Sequence, residues 1–271
     1  MKIIGEKING TRAQIAKALA ERDAAFIQTL AKRQAEAGAS WLDVNAGTPP
    51  DREPDDLMWL AKTVQEVTDV PLCLDSANPK ALAAVVNVTR QTPMINSISG
   101  EPHRLTDVLP IVAEHGCPVI ALCMDDRGIP ANVETRLEVI RRVIEATRRA
   151  GLPDDKVYVD PLVMALATNT ECANIALEAM RAIRTEFPAA HLVSGLSNVS
   201  FGLPARALIN RTFLVLAMSA GLDTAIADPL DRELCAAILA ADLLLGRDKY
   251  CLNYTRAYRA GLLKMKAVKA I

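Results

Sequence analysis

Carboxylate, amide and hydroxyl side chains stand at the ends of eight short apolar stretches in this chain of 271 residues. They are Glu6, Asn9, Asp43, Asn45, Asp75, Ser76, Asn96, Ser97, Asp125, Asp160, Ser197, Asn198 and Asp228. Turns favour these residue types, so each one alone has an ordinary structural explanation. As a set they are more informative, because Asp75 and Asp160 directly follow apolar runs and should be only partly solvated.

Chemically, this set offers many hydrogen-bond acceptors and almost no cations. The sequence contains no glycine-rich phosphate-binding motif of the GxxxxGK[ST] type, which disfavours phosphorylated substrates. A ring of acceptors suits a divalent metal, or a heterocycle whose amine and ring N–H groups donate to carboxylates. The residues themselves leave both kinds of ligand open.

The apolar stretches have the length of β-strands and alternate with segments that have the periodicity of amphipathic helices. They begin near residue 3 and at 41, 71, 93, 119, 157, 192 and 224. Strands that are apolar at nearly every position indicate a parallel sheet buried on both faces. Eight strand–helix units in roughly 250 residues predict an α/β protein with a closed (β/α)8 TIM barrel, whose strand ends surround one mouth. A dinucleotide-binding open sheet would need GxGxxG where the chain has GEKINGTR.

Composition narrows the partners and the compartment. The formal charge is -1, and no basic run is concentrated enough to attract a nucleic acid or an anionic membrane. Six cysteines without a CxxC pair indicate reduced thiols and a cytoplasmic protein. No run of about 20 apolar residues occurs, so we expect no membrane span.

Short sequence motifs at the predicted strand ends resemble those of the methyltransferases that use methyltetrahydrofolate as methyl donor and a corrinoid protein as acceptor. The motifs are IIGEKING (3–10), LDVNAG (42–47), LCLDSANPKA (72–81), MINSIS (94–99), DPL (160–162), GLSNVS (195–200), LINRTFL (208–214) and AIAD (225–228). They follow the family's order over nearly the whole chain. The first is also similar to the folate domain of cobalamin-dependent methionine synthase. We therefore expect residues 1–271 to form a single pterin-binding (β/α)8 barrel domain with a C-terminal helical extension.

The resemblance implies a role for each matching residue. The implied pterin-binding residues are Asp75, Asn96, Ser97, Asp160 and Asn198. Of these, Asn198 matches the asparagine beside N5, the nitrogen that carries the methyl group, and is implied to be catalytic. Residues implied to lie behind the pterin or at the edge of its pocket are Glu6, Asn9, Asp43 and Arg206.

The same resemblance implies the substrates and partners. Methyltetrahydrofolate or tetrahydrofolate would bind to this chain, and a corrinoid (cobalamin) would arrive on a separate protein, since the chain has no DxHxxG corrinoid-binding motif. Family members are generally homodimers, and no metal is expected on this chain. Acetate synthesis would use the folate as donor, whereas demethylation of glycine betaine or of methoxylated aromatics would return methyl groups to tetrahydrofolate. The sequence leaves this direction open.

Three alternatives are compatible with the same residues. A dihydropteroate-synthase-like enzyme would share the pterin pocket, but the cations that bind pyrophosphate are missing from the NAGTPP loop and the AIADP strand. A metal-dependent lyase or isomerase would use carboxylates as metal ligands. These ligands would be Glu6, Asp43, Asp75 and Asp160. The third alternative is a protein that binds a pterin and catalyses nothing.

Overall fold

The computed structural model describes residues 1–263, and their eight parallel strands close into a barrel in sequence order, with the last strand paired to the first. The strands are β1 (Lys2–Asn9), β2 (Trp41–Asn45), β3 (Leu72–Asp75), β4 (Met94–Ser99), β5 (Val119–Leu122), β6 (Val157–Asp160), β7 (His191–Gly195) and β8 (Thr224–Ala227). The predicted (β/α)8 TIM barrel and its eight strands are therefore confirmed.

Helices surround the barrel. They are α1 (Ala13–Glu21), α2 (Ala24–Glu36), α3 (Glu53–Gln65), α4 (Pro79–Val86), α5 (Pro102–Asp107), α6 (Leu109–His115), α7 (Val133–Arg149), α8 (Cys172–Glu186), α9 (Arg206–Ser219), α10 (Arg232–Leu244) and α11 (Leu252–Arg259). Helix α11 falls in the predicted C-terminal helical extension, of which residues 264–271 lie outside the described residues. Within residues 1–263, no helix has both the length and the apolar character that a membrane span requires.

Helix α7 shows how the sequence sets a helix and its buried face. It begins after Asn132, whose side-chain oxygen accepts a hydrogen bond from the Thr135 amide at 2.9 Å and so satisfies a free N–H of the first turn. Apolar residues return every three or four positions, and Ile140 and Val143 are fully buried against the barrel. Gly151, with a φ of +82°, then takes the left-handed conformation that follows many helices.

Apolar side chains form two separate cores. One lies between the strands and the helices. The other fills the inside of the barrel and consists of Ile4, Cys73, Met94, Ile120, Tyr158 and Val193. Burial of each large side chain here contributes about 1.5–3 kcal/mol. Because side chains alternate between the faces of a strand, Asn96 and Asp160, two positions after Met94 and Tyr158, also face inward, so the polar layer rests directly on this interior core.

A cation and three rings close the amino-terminal end of the barrel. The Lys2 ammonium donates to the Tyr158 hydroxyl at 3.1 Å and lies 5.2 Å from the centre of the Trp41 ring. Tyr158 stacks on His191 with 4.5 Å between ring centres, and Nδ1 of His191 lies 3.0 Å from Asp223. These contacts use the polar atoms at this end, so the barrel opens toward the carboxyl ends of the strands.

Irregular pairing alters the register near the mouth. Asn96 is paired with Ile120 and Ile98 with Ala121, so β4 contains one more residue than β5 over this interval. The extra residue is Ser97, and a bulge of this kind redirects the side chains around it. A similar shift occurs in β1 between Gly5 and Ile8. Both irregularities lie next to predicted site residues.

Candidate active site

The ends of β2 and β3 bring two aspartates together. Asp43 is 3% exposed, and its Oδ1 atom has no hydrogen-bond partner. Asp75 accepts a hydrogen bond at 2.9 Å from the side-chain amide of Asn45. Burial raises the pKa of Asp43 well above its ordinary value, and the nearby charge of Asp75 raises it further. Burial also raises the pKa of Asp75, against the effect of the Asn45 hydrogen bond. A ligand that donates N–H groups would relieve this shortage of donors.

The third aspartate of the site is Asp160, at the end of β6. Its Oδ1 atom accepts the backbone N–H of Leu162 at 2.8 Å, and the residue is 6% exposed. Burial raises the pKa of Asp160 to about 6, although the N–H groups of Leu162 and Gly195 partly oppose the shift. Asp160 is therefore an acceptor-only carboxylate above about pH 6 and carries a proton below it.

Asn96 and Ser97 occupy the bulge of β4 and are half-buried. The backbone carbonyl of Asn96 accepts the Ser76 N–H at 3.0 Å, which joins the loop after β3 to β4. The Asn96 side chain is close enough to Asp43 to oppose the rise of that carboxyl's pKa. The structure thus brings Asn96 to the two aspartates of β2 and β3.

Asn198 lies in a 3-10 turn, Leu196–Ser200, that follows β7, and its side chain is exposed. The Asn198 amide packs close to Gly195: its Nδ2 atom lies 3.4 Å from the position that a Cβ atom would take on this glycine. The backbone of this turn is joined to the loop after β6, because the Leu166 N–H donates to the Val199 carbonyl at 3.0 Å. This backbone hydrogen bond joins the loop after β6, which follows Asp160, to the turn after β7, which carries Asn198.

Arg206 is the first residue of α9 and fixes the same turn from the other side. Its guanidinium donates to the Ser197 carbonyl at 2.8 Å and to the Ser200 hydroxyl at 3.1 Å. It also lies 5.7 Å from the centre of the exposed Phe201 ring. These contacts hold the turn that carries Asn198.

The two residues predicted from β1 already have partners. Glu6 accepts a hydrogen bond from Arg12 at 3.0 Å, and burial raises its pKa although the Arg12 charge opposes the shift. The side-chain oxygen of Asn9 accepts from both the N–H and the hydroxyl of Thr11, at 3.0 and 2.6 Å. Asn9 therefore closes the turn after β1, and Glu6 lies at the rim.

Cations neutralise two of the other strand-end carboxylates. Asp125 binds Arg127 at 2.9 Å and Arg142 at 2.6 Å, and its hydrogen bonds with Arg127 hold its pKa well below the ordinary range. Asp228 pairs with Lys7 at 2.6 Å. Asp43, Asp75 and Asp160 differ from these because they have no ion pair among the described residues; Asp43 and Asp160 are buried, and Asp75 is half-buried.

The proposed metal ligands do not assemble into a metal site. Within residues 1–263, no three of Glu6, Asp43, Asp75 and Asp160 bring ligand atoms within 4.8 Å of one another. The group that does consists of Glu101 and His103, at the start of α5, and Asp126, in the loop after β5. The geometry thus favours a ligand that donates N–H groups over a metal held by those four carboxylates.

Sequence reasoning missed Arg136, which supports the site from α7. It is 1% exposed, and its guanidinium donates to the carbonyls of Pro161 and Leu162, directly after Asp160. The available signal was its spacing, since Arg136 falls on the same helix face as Ile140 and Val143. An arginine on a buried face requires partners inside the protein.

Known proteins resemble this chain in sequence and in fold. A family model described as pterin binding enzyme matches residues 5–228. The methylcorrinoid:tetrahydrofolate methyltransferase of Eubacterium limosum is 42% identical over 96% of this chain and 97% of its own length. The methionine synthase of Mycobacterium leprae is 31% identical over 83% of this chain, which spans 20% of that protein.

A solved structure adds evidence on the fold alone. The dihydropteroate synthase of Yersinia pestis superposes with a TM-score of 0.66 at 18% identity, over 90% of this chain and 93% of its own. The sequence matches confirm the resemblance seen at the strand ends, and the shared barrel agrees with the predicted fold. The chain therefore belongs to the pterin-binding enzymes and, within them, to the family of the methylcorrinoid:tetrahydrofolate methyltransferases.

Proposed function

We propose that this chain is a methyltransferase that moves a methyl group between N5 of tetrahydrofolate and the cobalt of a corrinoid carried by a partner protein. The observation that carries the proposal is the 42% identity to the Eubacterium limosum enzyme over nearly the full length of both chains. The site supports it, because Asp43 and Asp160 are buried, Asp75 is half-buried, and all three lack ion-pair partners among the described residues, which suits the amine and ring N–H groups of a pterin. Each hydrogen bond to a charged group contributes about 1.5–3 kcal/mol.

The proposed pterin-binding residues are Asp75, Asn96, Ser97, Asp160 and Asn198. Asp43 is proposed to lie behind them, where the nearby charge of Asp75 adds to the effect of burial in raising its pKa. Of the other residues expected at the edge, Arg206 acts on the turn of Asn198, while Glu6 and Asn9 serve the loop after β1. In this assignment, the pterin ring is bound by side chains whose oxygen atoms form no ion pair among the described residues.

We propose that the physiological direction is toward tetrahydrofolate, because the name of the Eubacterium limosum relative gives the methylcorrinoid as donor. In this direction the N5 lone pair forms the new carbon–nitrogen bond, the electron pair of the carbon–cobalt bond stays on cobalt, and N5 releases one proton to solvent. The reverse reaction takes that proton back. The corrinoid supplies the reactivity of cobalt toward methyl groups.

Asn198 is proposed to assist N5 by hydrogen bonding. A primary amide neither gains nor loses a proton near neutral pH, so its contribution is orientation rather than proton storage. A hydrogen bond that strengthens as charge changes at N5 stabilises the transition state more than the bound folate. The exposure of Asn198 at the mouth supports this role, since the corrinoid must reach the same nitrogen.

The corrinoid protein is proposed to dock over the mouth, on the loops after β5, β6 and β7. These loops expose three large apolar side chains, Ile129, Met164 and Phe201, and Phe201 is 68% exposed. Phe201 belongs to the segment that directly follows Asn198. A partner seated here would cover apolar surface and bring its cofactor to the N5 position.

A direct assay tests the proposed function. When the protein is mixed with tetrahydrofolate and methylcobalamin, we expect the methylcobalamin absorbance to decay and methyltetrahydrofolate to form, with the same rate in EDTA. Activity that disappears in chelator and returns with Mg²⁺ would favour the metal-dependent alternative. Condensation of a pterin pyrophosphate with 4-aminobenzoate would favour the dihydropteroate synthase activity. Folate binding without methyl transfer would leave a binding protein.

We also propose that residues 1–271 act as a single barrel domain in the cytoplasm, without a bound metal. The elements that surround the barrel share one large apolar core, which supports the single domain. All six cysteines are unpaired, four of them buried, as expected in a reducing compartment.

A homodimer is proposed through the face formed by α9, α10 and α11. Most exposed large apolar side chains in residues 1–263 belong to this region, namely Leu208, Leu216, Leu244, Leu245, Tyr250, Leu252, Tyr258 and Leu262. Monomeric proteins rarely leave large apolar patches in water. We expect the double variant Leu208→Glu/Leu216→Glu to halve the mass measured by light scattering, whereas Phe26→Glu on α2 leaves it unchanged. A monomeric wild-type protein would exclude the dimer.

A further inference from the structure

Arg136 is a buried cation that donates hydrogen bonds to three backbone carbonyls. It lies in α7 and is 1% exposed. Its Nε atom donates to the Pro130 carbonyl at 3.0 Å, and Nη1 donates to the carbonyls of Pro161 and Leu162 at 2.7 and 2.6 Å. A guanidinium costs much to bury unless such partners are present. One side chain therefore joins the loop before α7 to the loop after β6.

Leu162 is the residue on which this contact acts most directly. Its φ of +63° lies in the left-handed region, which costs a leucine about 1–2 kcal/mol. Its carbonyl accepts from Arg136 at 2.6 Å, while its N–H donates to the Asp160 carboxylate at 2.8 Å. The unfavourable conformation is thus held from both sides, by the guanidinium and by the carboxylate.

We propose that Arg136 is a positioning residue for the pterin site: its guanidinium fixes the peptide groups after β6 and thereby aims the Asp160 carboxylate at the ligand. The inference rests on the proposed function, because it takes Asp160 as a pterin acceptor. Without Arg136, Leu162 relaxes toward an ordinary backbone conformation and its N–H turns away from Asp160. The carboxylate then loses both its orientation and one of its donors.

The charge of Arg136 also acts on Asp160, where it opposes the effect of burial on the pKa. The other titratable groups near this pair are Cys123, just after β5, and Cys172, the first residue of α8. Burial raises the pKa of both thiols, so both are uncharged near neutral pH. Arg136 is therefore the fixed charge that faces Asp160 from these neighbouring elements.

Two titrations of the full-length protein test the proposal. Carboxyl ¹³C NMR of the ligand-free protein, with the Asp160 signal assigned through Asp160→Asn, reports the titration of Asp160 without any folate. Tetrahydrofolate binding, followed by fluorescence from pH 5 to 8, reports the site itself. We expect Arg136→Met to move both midpoints upward by about half a pH unit or more and to weaken binding at pH 7 by roughly tenfold. In the Asp160→Asn background the same change should not move the pH dependence of folate binding that remains.

Arg136→Lys keeps the charge but cannot hold three carbonyls in the geometry of a guanidinium. We expect it to retain the NMR midpoint and to weaken folate binding several-fold. Because Arg136→Met removes a buried group and can fail to fold, the lysine variant is decisive by itself: folate binding equal to wild type at every pH would overturn the proposal. An unchanged midpoint in a folded Arg136→Met protein would overturn it too. A wild-type protein that binds no tetrahydrofolate, with the NMR shift still present in Arg136→Met, would instead refute the proposed function.

Discussion

Asn198→Ala is expected to slow methyl transfer by about 10²-fold or more while it changes the affinity for tetrahydrofolate much less. The amide is proposed to act where charge changes, at N5, so its loss removes an interaction that is strongest in the transition state. The exposed position of Asn198 means that an alanine leaves no buried cavity, and we expect the melting temperature to stay near that of wild type. Single-turnover decay of methylcobalamin absorbance measures the rate, and fluorescence titration measures the affinity.

The matched control for this variant is Ser197→Ala, one residue earlier in the same turn. The contact of Ser197 with Arg206 is made by its backbone carbonyl, which the substitution preserves. We expect wild-type rates. If Asn198→Ala transferred methyl groups at the wild-type rate, or lost affinity and rate equally, Asn198 would have no special role at N5.

Asp160→Asn is expected to weaken tetrahydrofolate binding about 10- to 100-fold at pH 7.5, and yet to stabilise the folded protein at that pH. The pKa of Asp160 in the folded protein is about 6, above its ordinary value of 3.8. Ionisation therefore opposes folding by about 3 kcal/mol once the pH exceeds 6, and asparagine removes this penalty. The gain should shrink as the pH falls from 6 and should vanish below about 3.8, where both states are protonated. Denaturant unfolding at several pH values measures the gain.

Ionisation of Asp160 should have the opposite effect on folate binding: it destabilises the folded protein but strengthens the binding of tetrahydrofolate. In the wild-type protein we expect the affinity for tetrahydrofolate to rise as the pH increases through 6, because the carboxylate is the better acceptor for pterin N–H groups. Asp125→Asn is the matched control: this strand-end aspartate pairs with Arg127 and Arg142, so its replacement should destabilise the protein and leave folate affinity unchanged. Affinity that is independent of pH in the wild type and unaffected by Asp160→Asn would remove Asp160 from the site.

The barrel was predictable because its signals are local. Eight apolar runs separated by amphipathic segments indicate parallel strands covered by helices, and the structure places all eight strands where the runs occur. The inward direction of Asp43, Asp75 and Asp160 then follows from alternation along each strand. Their shared position at one mouth required only the topology of the fold.

The partners of several polar side chains were not predictable, because they depend on which contacts the fold selects, some of them between distant segments. Asp125 differs from Asp160 through two arginines, Arg127 two residues later in its own loop and Arg142 from α7, and the contact with Arg142 could not be read from the sequence. Asn9 lies at a position where the sequence predicts a site residue, but its side-chain oxygen accepts a hydrogen bond from Thr11. Arg136 is one of several arginines in α7, and only its place on the buried helix face separates it from the solvated ones.

The hydrogen bond from Leu166 to Val199 makes a single unit of the segments that carry Asp160 and Asn198. Arg136 anchors one end of that unit and Arg206 the other. Replacing one of these two loops alone would break the hydrogen bond that joins them, and replacing α7 or α9 would remove one of the two arginines. A design that transfers this site to a different barrel should therefore include the loops after β6 and β7 together, with Arg136 and Arg206, which hold them.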